Sequence, residues 1–442
     1  MKKTIIAVTL TLTTLLASAV AEAAPNIQHW TTANGARVYF VPSPELPIVD
    51  IRLVFDAGSA RDGAKSGLAQ MTNGLLDQGA GELNADQIAD RLDGVGAALG
   101  TSSYRDMGIV SLRSLTDRTL LDPALDTMAL IVSKPSFPQD AFERAQKRTL
   151  IALRGQKESP GDIASKAFFA AVYGDHPYAS PSIGTEETVS ALTRQDAMAF
   201  HKRYYTGRNA VVAIVGAIDR KEAEKIVERV VGTLPAGETA AALPPAKALA
   251  AAAVKHISFP SAQTHVLMGQ PGMTRDDPDY FPLVVGNHIL GGGGLVSRIT
   301  IEVREKRGLA YSAYSNFAPM HVQGPFTAGV QTRNDQVDAA LAILRDVVND
   351  FIAKGPTADE LTAAKKNITG GFALNLDSNA KIVENLASIG FYKLPLDYLD
   401  TYNRRVEAVT AEQIRSAFQR RIHPENMVTV LVGGDVVAAA KP

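Results

Sequence analysis

One segment occurs twice, and this repeat most constrains what the chain can fold into. "LTRQDAMAFHKRYYTGRNAVVAIVG" (192–216) aligns without gaps to "VTAEQIRSAFQRRIHPENMVTVLVG" (409–433). At equal offsets the copies share Thr193/Thr410, Arg203/Arg420, Asn209/Asn426, Val215/Val432 and Gly216/Gly433. Each copy reads as a capped amphipathic helix, a turn, and a short apolar strand closed by glycine. Upstream, "FPQDAFERAQKR" (137–148) and "PTADELTAAKKN" (356–367) each precede a further long helical stretch. Each half also begins with strands, "GARVYFVPSPELPIVDIRLVFDAG" (35–58) and "KHISFPSAQTHVLMGQPG" (255–272). Strands and helices without regular βαβ spacing place both halves in the α+β class. Between them "PAGETAAALPPAKALAAAA" (235–253) has the composition of an exposed connector. The expected units are therefore 24–234 and 254–442.

The first residues, "MKKTIIAVTLTLTTLLASAVAEAAPN", carry Lys2 and Lys3, an apolar stretch and small residues around Ala21-Glu22-Ala23. That is the layout of a secretory signal peptide with cleavage after Ala23. The apolar run is short and holds four threonines, so it suits a membrane anchor poorly. Removing residues 1–23 shifts the formal net charge from −1 to −2, because Lys2, Lys3 and Glu22 leave. Such a balance gives no reason to expect nucleic acid. With no cysteine there is neither a disulfide framework nor a thiolate metal site, which fits a bacterial periplasm.

Two short stretches carry the functional signal. "KSGLAQMTNGLLDQG" (65–79) reads as a helix that Ser66 could cap, with Leu68, Met71, Leu75 and Leu76 facing a core. Gly74 costs that helix about 1 kcal/mol relative to alanine. "IEVREKRGLAYSAYS" (301–315) reads as a charged helix that Gly308 ends, followed by a strand bearing Tyr311. On composition alone, Glu302, Arg304, Glu305, Lys306 and Arg307 form a solvated face, and Tyr311 is one of the alternating residues of a half-buried strand.

The duplicated units, the "GLA" helix and "REKRGLAYS" together resemble the insulinase-type zinc peptidases, the M16 or inverzincin family, over essentially the whole mature chain. The resemblance implies two homologous α+β domains forming half of a clam-shell chamber. Members carry His-x-x-Glu-His on the early helix, where two imidazoles grip zinc and the Glu takes a proton from bound water. Here Gln70 stands at the first His, Asn73 at the general base and Gly74 at the second His. The third ligand falls near "TLIALRG" (149–155), which offers no acid; Glu143 and Glu158 lie about two turns to either side. No two of the eight histidines are three or four residues apart, so none forms a helical ligand pair. The chain is expected to bind no zinc.

In the same family the C-terminal half supplies an Arg and a Tyr seven residues apart, which Arg304 and Tyr311 match. A guanidinium and a phenol can both donate to a scissile carbonyl and its oxyanion. Gly292, Gly293 and Gly294, in "ILGGGGLVSRI", resemble a shortened form of the glycine-rich recognition loop of the mitochondrial processing peptidase's noncatalytic subunit. A tight helix-entry turn accounts for them equally well. No Lys-Ser/Thr follows, which disfavours nucleotide binding. The resemblance implies a noncatalytic subunit of a periplasmic heterodimeric zinc endopeptidase, inactive alone. Its paralogous partner would carry His-x-x-Glu-His and the zinc, and a peptide would be the substrate. The alternatives are a silent scaffold derived from such a peptidase, or an active metallopeptidase with unrecognised ligands.

Overall fold

The computed structural model describes residues 26–434. The expected signal peptide lies outside the described residues. Sheet one contains β1 (Gln28–Thr31), β2 (Arg37–Pro42), β3 (Ile48–Phe55), β6 (Ala98–Ser103), β7 (Gly108–Leu115) and β8 (Ala210–Gly216). A short ribbon, β4 (Gly79–Ala80) with β5 (Leu83–Asn84), lies apart from it. Sheet two contains β9 (Ala253–Ile257), β10 (Gln263–Met273), β11 (Ala310–Phe317), β12 (Gly324–Arg333) and β13 (Val428–Val432).

The orders β1-β2-β8-β3-β7-β6 and β9-β13-β10-β12-β11 superimpose strand for strand once β1 is set aside. In each, one parallel pair (β2 with β8, β13 with β9) joins an otherwise antiparallel sheet. The duplication is thus a duplication of topology. It reaches the caps as well. Thr193 and Thr410 each close a capping box on the helices Arg194–Tyr204 and Ala411–Arg421. Each satisfies orphan amides that begin a helix running back to a buried strand, β8 or β13.

Each sheet has one face packed against helices of its own half, giving two separate apolar cores. The other faces are covered crosswise. Tyr39, Val54, Val211 and Ala213 of sheet one pack against Val383, Leu386, Ala387 and Ile389 of the helix Asn379–Tyr392, from the second half. Val428, Val430 and Val432 of sheet two pack against Ala164, Ala167 and Phe168 of the helix Pro160–Tyr173, from the first half. Each half therefore lends a helix to the other's sheet, so the boundaries near 234 and 254 separate the sheets but not the layers over them.

The connector is exposed along most of its length, yet it is tied down. Gly207 and Arg208 donate backbone N–H bonds to the carbonyls of Pro235 and Ala236, both at 2.9 Å. Arg61 Nη1 reaches the Ala241 carbonyl at 2.6 Å, and His176 Nε2 the Pro244 carbonyl at 2.8 Å. His176 Nδ1 accepts from the Tyr178 amide at 3.0 Å, which fixes Nε2 as the donor.

Candidate functional site

The helix Leu68–Asn73 is only six residues long. The Asp62 carboxylate accepts from the amides of Gly67 (2.8 Å) and Ala69 (2.7 Å) at its start. The sequence placed the cap at Ser66; the structure gives that work to Asp62, and Ser66 donates instead to the Pro181 carbonyl. Burial pushes the Asp62 carboxyl up to about 7, although the helix amides draw it down.

Gln70 is exposed, while Asn73 is buried and turned away from it. The Asn73 amide donates to the Ile109 carbonyl (3.2 Å) and the Tyr205 hydroxyl (3.1 Å). Gln70 and Gly74 instead line a shallow pocket of about 290 Å³, whose far wall is Ala145, Arg148, Thr149 and Ala152 of the helix Gln139–Gln156. This is where the third ligand would stand, and that wall presents a guanidinium, a hydroxyl and methyl groups. Zinc requires deprotonated or neutral nitrogen, sulfur or carboxylate donors. An amide, a glycine and a nearby Arg cation do not fit it. Among the described residues, no cluster of three or more His, Cys, Asp or Glu side chains could hold a metal ion.

The second stretch is arranged differently. The helical run Arg298–Thr300 passes into a π-turn, Ile301–Glu305, with the Lys306 amide bonded five residues back to Ile301 at 2.9 Å. The sequence reads as a plain α-helix here, and π-turns of this kind occur frequently at functional sites. Gly308, at φ +59°, then reverses the chain, and its amide bonds to the Arg304 carbonyl at 2.9 Å. No neighbour crowds a Cβ at Gly308, so the left-handed backbone is the reason for glycine.

Tyr311 follows as the extra residue of a β-bulge: Ala310 pairs with Thr332 and Ser312 with Gln331. β11 is the edge of sheet two, and the bulge turns the ring outward to 83% exposure. Of the basic residues in "REKR", Lys306 and Arg307 are tied to Glu302 at 2.6 and 2.5 Å. Arg304 has only a long contact to Glu305 (3.5 Å), and its guanidinium lies 4.7 Å from the centroid of the Tyr311 ring. The solvated face read from composition exists, but Arg304 is not part of its ion-paired core. Arg304 and Tyr311 stand together, with donors facing solvent.

The glycine run forms a second π-turn, His288–Gly292, and a 3-10 turn, Gly294–Val296. A Cβ at Gly292 would meet the Asn287 amide at 2.7 Å, and one at Gly293 the His288 carbonyl at 2.6 Å. Gly294 alone is open, at φ +66°. Sequence reasoning missed a buried junction between the halves. Asp106 accepts from the Tyr178 hydroxyl (2.6 Å), the His321 amide (2.9 Å) and the Tyr392 hydroxyl (3.4 Å). Its contributors lie far apart in sequence and share no motif.

Among known proteins, the profile described as Insulinase (Peptidase family M16) matches residues 37–186, and that of the Peptidase M16 inactive domain matches 191–368. The solved peptidase M16 inactive domain from Pseudomonas fluorescens is 41% identical, with TM-score 0.90, over 94% of this chain and 100% of that one. This chain belongs to the M16 peptidase family. The M16 fold here is also close to a protease from Helicobacter pylori (20% identity, TM-score 0.85, 92% and 99% coverage). The same holds for the periplasmic protease PqqL from Escherichia coli (16%, TM-score 0.78), where this M16 chain covers 46% of the longer protein. An uncharacterized zinc protease of Streptomyces coelicolor is 26% identical over 397 residues, covering 88% of this chain and 86% of its own. Among the described residues, no helix is long and apolar enough to cross a membrane.

Proposed function

We propose that this M16 chain is the noncatalytic subunit of a two-chain periplasmic zinc endopeptidase, with its metal on a paralogous partner carrying His-x-x-Glu-His. The observation that carries the reading is the contrast between the two stretches. The position matching the zinc site holds Gln70, a buried Asn73, Gly74 and a nearby Arg148. By contrast, Arg304 and Tyr311 are brought together on a bulged, exposed edge. In this role Arg304 and the Tyr311 hydroxyl donate to the scissile carbonyl, orient it, and hold the charge that develops on its oxygen. Neither group takes up a proton from water, so activation of the nucleophile belongs to the other chain.

The test is peptide hydrolysis and zinc content of this chain, of a zinc-bearing paralogue, and of their mixture. Hydrolysis only in the mixture, with zinc only on the paralogue, is the expected result. Zinc-dependent hydrolysis by this chain alone overturns the reading, and a stable but inert mixture replaces it with a scaffold role.

A further inference from the structure

A groove of about 340 Å³ lies between the Pro160–Tyr173 helix and strands β10, β11 and β12. It exists because the crossed-over helix covers Val428, Val430 and Val432 of β13 but leaves the face of β11 and β12 open. Tyr314 forms one wall. Its ring lies flat on Gly329, its partner across the β11–β12 ladder, where a Cβ would stand 2.8 Å from the ring's Cζ. Phe169 forms the opposite wall, held under the Arg105 guanidinium at 3.7 Å. His265 also lines the groove, 3.6 Å from where a Cβ at Gly161 would stand. Polar groups come from Ser312, Asn316 and Gln331.

No Asp, Glu, Lys or Arg lines this groove. The other grooves described differ in this respect. One of about 770 Å³ beside Arg307 is lined by Lys306, Asp346, Asp350 and Glu360, one of about 390 Å³ near the connector by Arg420 and Arg421, and the degenerate metal pocket by Arg148. Ser312, at the groove's mouth, directly follows Tyr311 in β11. An extended peptide advances about 3.3 Å per residue. A chain whose carbonyl meets Arg304 and Tyr311 and that runs on along β11 past Ser312 would bring a side chain over the groove within a few residues.

We infer that this groove is a specificity pocket that takes an uncharged aromatic side chain of a peptide, stacked between Tyr314 and Phe169. The inference rests on the reading of this chain as a peptide-holding subunit. An aromatic ring makes offset or edge contacts with both walls, and Ser312 and Asn316 can bond the peptide backbone beside it. A charged side chain entering the groove leaves water for a lining that carries no Asp, Glu, Lys or Arg of its own.

The experiment uses the full chain alone, without a partner, and capped hexapeptides identical except for a central Phe, Asp or Lys. Binding is read by fluorescence anisotropy of a terminal label. The Phe peptide should bind about tenfold or more tighter than either charged one. Ser165 is exposed and lines the groove, so Ser165→Trp fills it from the helix surface without touching the core. That variant and Tyr314→Ala should each erase the preference. Equal binding of the three peptides, no binding, or an unchanged preference in Ser165→Trp overturns the inference. Ser165→Trp remains decisive if Tyr314→Ala fails to fold. An inert mixture with the zinc-bearing paralogue would sink the proposed function while leaving a Phe preference of the lone chain intact, so the two failures are separable.

Discussion

At Asn73 the position that matches the family's general base holds an amide, buried and bonded to the Ile109 carbonyl and the Tyr205 hydroxyl. The side chain there has a structural job. Asn73→Ala should therefore destabilise the chain by about 1–3 kcal/mol, since it strands buried partners; urea unfolding would measure this. Restoring the motif as Gln70→His, Asn73→Glu and Gly74→His together should still give no stoichiometric zinc, because the facing helix offers Arg148 and Thr149 and no acid. Stoichiometric zinc by elemental analysis would contradict that expectation. At the other stretch, Tyr311→Phe and Arg304→Ala in the proposed two-chain complex should each lower kcat, by up to the order of 10²-fold. Partner zinc content should not change. Full turnover in both variants would remove the role assigned to them.

At the level of elements, the repeat was legible because caps and periodicity are local. Thr193, Thr410, Gly216 and Gly433 mark the ends of elements on their own. The π-turn under Arg304 was not legible, since "ITIEVREKR" has ordinary helical composition and nothing in it marks the wider turn. Nor could periodicity show which sheet the helices Pro160–Tyr173 and Asn379–Tyr392 cover, because an apolar stripe specifies that a face is buried and not against what. The crossed packing has a measurable consequence. Leu386 belongs to the second half but is fully buried on sheet one. Leu386→Ala should cost about 2–5 kcal/mol. Because both halves share that layer, they should lose structure in one transition; two separated calorimetric peaks would refute the shared layer.

For the whole molecule, the junction at Asp106 binds the halves through a buried carboxylate. Two of its donors, the His321 amide and the Tyr392 hydroxyl, come from the second half, and the Tyr178 hydroxyl from the first. The His321 ring packs on Phe391 and Tyr392, with centroids at 4.5 and 5.2 Å. Burial lowers its pKa, against the pull of Asp106 and Asp56, while Arg61 and Lys393 add to the lowering. A histidine with a folded pKa below its unfolded value of about 6.5 favours the folded state above that pH. Through His321, acidification below about 6.5 then costs stability, as the unfolded chain takes up the proton first. His321→Phe keeps the ring contacts and the backbone bond to Asp106, so it should flatten the acid side of a Tm-against-pH curve. An unchanged slope would show that the titration lies elsewhere.

The crossed helices also bear on how such a chain can change over generations. Under the proposed function the first half looks dispensable, yet its Pro160–Tyr173 helix is the roof over Val428, Val430 and Val432, in the sheet that presents Tyr311. Deleting the first half would leave that apolar face bare, inviting aggregation before any question of function arose. The side chains at residues 70–74 are open to change by point mutation, while loss of the domain is closed by packing. The first half is in this sense a fixture of its neighbour.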